Sequence, residues 1–149
     1  MPVTIQDVDN QIDREEPDYT QAARLGPEAL PFVRQIIQGN NIALASKAAF
    51  LAGQIRGKGS LQILKIAARH PNPVVRVAAA ASARNSTGLS LTLANIFLND
   101  TDSGVRKWGL RALEEARPRG IRPSVEKIMN NDPDPVVREQ ARKVIDRIK

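Results

Sequence analysis

The chain of 149 residues contains no cysteine, a single histidine and only 3% aromatic residues. Without cysteine there is no disulfide framework, no thiolate nucleophile and no cysteine-based metal site. The one histidine, His70, stands beside Pro71. No histidine pair for a metal and no Ser-His-Asp set can be assembled from it. Gly53, Gly57 and Gly59 lack the preceding strand and the Lys-Ser/Thr of a phosphate-binding loop. Glu114 and Glu115 are paired carboxylates only on paper, because adjacent residues on a helix diverge. There is no apolar run of membrane-spanning length, and the first fifteen residues have the wrong charge pattern for a signal peptide. These absences lead to the expectation of a non-enzymatic, cytoplasmic protein without cofactor, metal or membrane partner.

Acidic residues are missing from one long stretch. Residues 1–28 hold seven acids and two bases, residues 29–99 hold no acid and eight bases, and residues 100–149 hold nine acids and twelve bases. The eight central bases are Arg34, Lys47, Arg56, Lys58, Lys65, Arg69, Arg76 and Arg84. Such asymmetry fits attraction to an acidic protein or a nucleic-acid backbone, and equally a surface that only solubilises the chain. Stacking aromatics and compact basic runs, which would favour nucleic acid, are lacking.

What the chain does contain is a repeated phrase: Asn72-Pro73-Val74-Val75-Arg76, Asp102-Ser103-Gly104-Val105-Arg106 and Asp134-Pro135-Val136-Val137-Arg138. The copies are spaced thirty and then thirty-two residues apart, a period characteristic of stacked repeats. Each copy starts a helix. Asn72, Asp102 and Asp134 can cap free N–H groups, and Pro73 and Pro135 stand where the missing donor costs nothing. Small residues follow at helical spacing, and a degenerate earlier copy begins near Asn41. Between starts lies a second apolar segment, with Pro31, Val33, Ile36 and Ile37 aligned to Leu61, Ile63, Ile66 and Ala67. The next two sets are Leu91, Leu93, Ile96 and Phe97, then Pro123, Val125, Ile128 and Met129. Gly57 and Gly59, Thr87-Gly88 and Pro118 to Gly120 mark the corners between first and second helices.

The Asp-x-Asp-Pro-x-Val-Arg start (Asp132, Asp134, Pro135, Val137, Arg138), the small residues behind it and Ala29-Leu30-Pro31 resemble the HEAT-repeat family, including the HEAT-like repeats of phycobilin lyases. The resemblance covers about residues 18–149. It implies an all-α, right-handed alpha-alpha superhelix of about four to five helical hairpins. Residues 1–149 are expected to form one domain, in which 1–16 is an N-terminal capping segment and 135–149 a C-terminal capping helix. In the N-terminal segment, Thr4 and Asp7 can form a capping box, with Ile5, Val8 and Ile12 on one face.

In such a stack the second helices line the concave surface. Their polar sides carry Gln62, Lys65 and Arg69, then Thr92, Asn95 and Asn99, then Ser124, Lys127 and Asn131, each set on one face of a helix. Gln35 joins the grid at its N-terminal edge. These ten residues are the candidate partner-binding site, against the alternative of an ordinary solvated face. Arg76, Arg106 and Arg138 recur at one position and are expected to form a structural ladder with carbonyls and with loop acids such as Asp102 and Asp134. Trp108, aligned with Ala78, is either a partner-facing anchor or the filling of an inter-repeat gap. The expected function is a protein-interaction module, a scaffold or assembly factor, binding an acidic or extended partner through the concave face. Nucleic-acid backbone binding through 29–99 is the alternative, and the resemblance adds a phycobilin-lyase-like accessory role.

Overall fold

In the computed structural model, which describes residues 2–57, 59–84 and 89–148, the repeated phrase does start helices. Asn72 Oδ1 accepts from the Val74 N–H at 2.8 Å, Asp102 Oδ1 from Val105 N–H at 3.1 Å and Asp134 Oδ1 from Val136 N–H at 2.9 Å. The degenerate copy behaves alike, since Asn41 Oδ1 accepts from Leu44 N–H at 3.0 Å. Each bond satisfies a donor that the helix itself cannot. These caps open α4 (Ile42–Gln54), α6 (Pro73–Ala83), α8 (Ser103–Ala112) and α10 (Pro135–Ile148). The intervening segments form α3 (Leu30–Ile37), α5 (Ser60–Ala68), α7 (Leu91–Leu98) and α9 (Arg122–Asn131).

Ahead of them, the Thr4–Asp7 capping box begins α1 (Ile5–Ile12), which buries Val8 and Ile12. A single turn, α2 (Tyr19–Ala22), and two 3-10 turns (Ala23–Leu25 and Pro27–Ala29) lead into α3. Among the described residues there is no strand, and no helix is long and apolar enough to cross a membrane. Lys58, Thr87-Gly88 and Lys149 lie outside the described residues.

The helices pack in two rows. α4, α6, α8 and α10 each contact the next in their row, as do α3, α5, α7 and α9. One apolar cluster runs through both rows, from Val8 to Ile145. Val75, Val105, Val137 and the aligned Ala45 are fully buried or nearly so, as are Ala79, Ala49 and Ala141. Small residues bring backbones together at α4 and α6. A Cβ on Gly53 would lie 2.4 Å from the Ser82 carbonyl oxygen, while the Ser82 hydroxyl donates to the Ala49 carbonyl at 3.3 Å.

The second-helix stripe differs from the sequence expectation. Pro31 and Pro123 are exposed, Leu91 is 37% exposed, and Ile66 and Ile96 are only half-buried. Leu64, Ala68, Ala94 and Leu98 are buried instead. The reason is position within the row: α5 and α7 have a neighbour on each side, so each covers a wider arc than a one-sided amphipathic helix, and the covered arc is turned by about one residue.

Candidate functional site

Four loops join successive helix pairs along one edge: 38–41, 69–72, 99–102 and 132–134. Two neighbouring pairs are tied by a bidentate ion pair. Arg76 spans from the second loop, where its Nη1 donates to the carbonyls of His70 and Pro71 at 2.9 and 3.1 Å, to Asp100 of the third. Its Nε and Nη2 donate to the Asp100 carboxylate at 2.9 and 3.2 Å. Arg106 repeats the arrangement one step on. Its Nη1 donates to the Asp100 and Thr101 carbonyls at 3.0 and 3.1 Å, and its Nε and Nη2 to Asp132 at 2.7 and 3.0 Å.

The side chains of this second pair are only 11% and 3% exposed. Burial by itself would raise the Asp132 carboxyl, but the hydrogen bonds from Arg106 and the Asp134 N–H, with the charges of Arg106 and Arg138, hold it below the usual carboxylate range. Arg106 is correspondingly raised, first by its hydrogen bond to Asp132. The ladder therefore exists, but its acids are Asp100 and Asp132 rather than the expected Asp102 and Asp134. The latter two turn Oδ1 toward the N–H groups of their own helices, while Asp100 and Asp132 stand where the preceding arginine reaches both carboxylate oxygens. Arg138 donates to the Asp132 carbonyl at 2.6 Å.

The acids also cap their own loops. Asp100 Oδ1 accepts from Asp102 N–H at 2.8 Å and Asp132 Oδ1 from Asp134 N–H at 2.9 Å. At the aligned position of the second loop, His70 Nδ1 accepts from Asn72 N–H at 2.9 Å. His70 thus does the local work of the aspartates without their charge. The residue aligned with Arg76 on α4 is Ser46, whose hydroxyl bonds its own helix at the Ala43 carbonyl. Among the described residues no such tie joins the first and second loops.

Two cavities open on this edge. One, of about 740 Å³, lies between the first and second loops and is lined by residues including Ile37, Asn40, Ile66, Arg69 and His70. The other, of about 550 Å³, lies between the third and fourth loops, with the Arg106–Asp132 pair in its wall. Of the ten candidate residues, Asn95, Asn99, Ser124, Lys127 and Asn131 line this second cavity together. Arg69 lines the first. Gln35, Gln62 and Thr92 are exposed and Lys65 is half-buried, and none of these four lines either cavity. Asn95 Oδ1 is buried and has no hydrogen-bond partner.

Elsewhere some of the bases of 29–99 find partners within the chain. Arg76 is paired with Asp100 and Arg84 with Glu115, while Lys47 donates to the Arg14 carbonyl. Trp108 is half-buried against the core, with the Arg111 guanidinium 4.6 Å from its ring centroid. Among the described residues no group of three or more His, Cys, Asp or Glu could hold a metal ion. The roles of Ser46, His70, Asp100 and Asp132 were missed from sequence, although the thirty-residue offset that aligns the valines also aligns Ser46 with the arginines and His70 with the aspartates. No family model matches the chain, and no curated protein matches it.

Proposed function

We propose that the chain is a short HEAT-like solenoid, a right-handed alpha-alpha superhelix, acting as a non-enzymatic protein-interaction module. Its second helices form the concave face, and an extended or acidic segment of a partner lies across their C-terminal ends. The observation that carries this reading is the second cavity, where five candidate polar residues converge and Asn95 Oδ1 has no partner. A buried acceptor left without a donor costs roughly 1–3 kcal/mol. A turn of the Asn95 side chain on binding would bring Oδ1 to a peptide N–H and remove that cost. Asn99, Asn131 and Ser124 offer both donors and acceptors to a peptide backbone, and Lys127 supplies a positive charge for an acidic side chain.

The test is capture of partners from the native host by the wild-type protein and by an Asn95→Ala, Lys127→Glu variant, with and without nuclease. Expected is a nuclease-resistant protein partner that the variant loses while its circular dichroism is unchanged. Equal capture by both would overturn this site. Loss of the partner on nuclease treatment would favour a nucleic-acid backbone as the ligand.

A further inference from the structure

The first cavity occupies the same architectural position as the second, two loops earlier, but its chemistry differs. No carboxylate lines it, and no Asp or Glu occurs anywhere from 29 to 99. Where the later loops place an aspartate, this one has His70. Because His70 Nδ1 accepts the Asn72 N–H, the proton of the neutral ring is on Nε2, which makes Nε2 a donor. Among the described residues Nε2 has no hydrogen-bond partner, and it is not sealed from solvent. Arg69 beside it is exposed and has no ion-pair partner among the described residues. Ile37, Ile42 and Ile66 supply an apolar wall.

We propose that this cavity receives a carboxylate side chain of an extended acidic peptide, with the Arg69 guanidinium and His70 Nε2–H as its donors. An apolar neighbour of the acidic residue packs on the isoleucine wall. In the later loops the two partners of an ion pair both come from the chain; here the chain supplies the cation and no carboxylate, and the carboxylate comes from outside. A cation is disfavoured, since it would meet Arg69 and the donor edge of His70 with no acid to balance it. The inference deepens the peptide-binding reading by naming a site for an acidic residue, and it rests on that reading for the peptide character of the ligand.

Because His70 is the only histidine, its imidazole resonances report on this cavity alone. The probe is acetyl-leucyl-glutamyl-amide, titrated into isotope-labelled full-length protein, with the glutaminyl analogue and inorganic phosphate as separate arms. Expected is a saturable shift of the His70 imidazole and the Asn72 amide. The glutaminyl analogue should bind about tenfold or more weakly, as loss of charge-assisted hydrogen bonds requires.

Arg69→Gln should weaken binding similarly. His70→Asp keeps the loop bond, as Asp100 and Asp132 do, and should abolish binding, read at the Asn72 amide. The shift should persist in Lys127→Glu protein, so this site and the second cavity can fail separately. The proposal is overturned by absence of a saturable shift, by equal affinity for the two peptides, or by phosphate binding as tightly as the glutamyl peptide.

Discussion

The first and last joints of the loop edge use one backbone plan and opposite means of cohesion. Between the third and fourth loops, Arg106 and Asp132 form a buried bidentate pair with three further hydrogen bonds to backbone groups. Between the first and second loops there is no such pair among the described residues, yet α4 and α6, which start from those loops, form the most extensive helix contact in the molecule. Gly53 and Ser82, at the ends of these helices away from the loops, allow that approach. One joint is closed by charge and the other by backbone proximity, and at the latter no carboxylate stands beside Arg69 and His70 in the cavity wall.

The largest effect should come from halving the buried pair. Arg106→Ala leaves Asp132 charged, buried and without its main donor, which should cost about 3–5 kcal/mol in denaturant unfolding. Arg138→Ala, which removes one carbonyl contact, should cost about 1 kcal/mol. Equal losses would mean that the internal pair is no stronger than the terminal contact.

The corresponding break in the first joint is Gly53→Ala. The added methyl meets Ser82 backbone as well as side chain, so α4 and α6 must separate, at a cost of about 1–3 kcal/mol. A neutral outcome would show that the close approach contributes little to that joint.

Acid should expose the difference without mutation. Asp132 has a lowered pKa in the folded state, so its contribution is complete above the unfolded carboxylate value of about 3.9 and is lost as pH falls through the lower folded value. Asp132→Asn should therefore be less stable than wild type near neutrality and approach it in acid. A stability gap that stays constant down to about pH 2 would remove the ion pair as the source of the difference.

The smallest change converts one joint into the other. Ser46→Arg with His70→Asp recreates the Arg76–Asp100 pattern in the first joint, with an expected gain of about 1 kcal/mol or less once side-chain ordering is counted. A crystal structure or a double-mutant cycle would show whether the pair forms. Formation should fill the first cavity and block the glutamyl peptide.

The helix starts were legible because capping is local: Asn41, Asn72, Asp102 and Asp134 act within three residues of themselves, so the phrase carries its own structural instruction. The burial of Val75, Val105 and Val137 followed from the same period. The second helices were read less well, since whether Leu64 or Ile66 is covered depends on neighbours from other repeats and not on spacing alone.

The site divides in the same way. Sequence by itself determined the helix starts, the polar sets on the second helices and the absence of acids from 29 to 99, because these depend on residue type and spacing. Only the tertiary structure decided that Asn95, Asn99, Ser124, Lys127 and Asn131 share a cavity while Gln35, Gln62, Lys65 and Thr92 line none. It also decided that Arg106 takes Asp132, twenty-six residues away, rather than the nearer Asp102. The physical reason is placement: Asp102 and Asp134 turn Oδ1 toward the N–H groups of their own helices, whereas Asp100 and Asp132 stand where the arginine of the preceding repeat reaches both carboxylate oxygens. Which acid an arginine meets is settled only when the loops are brought side by side.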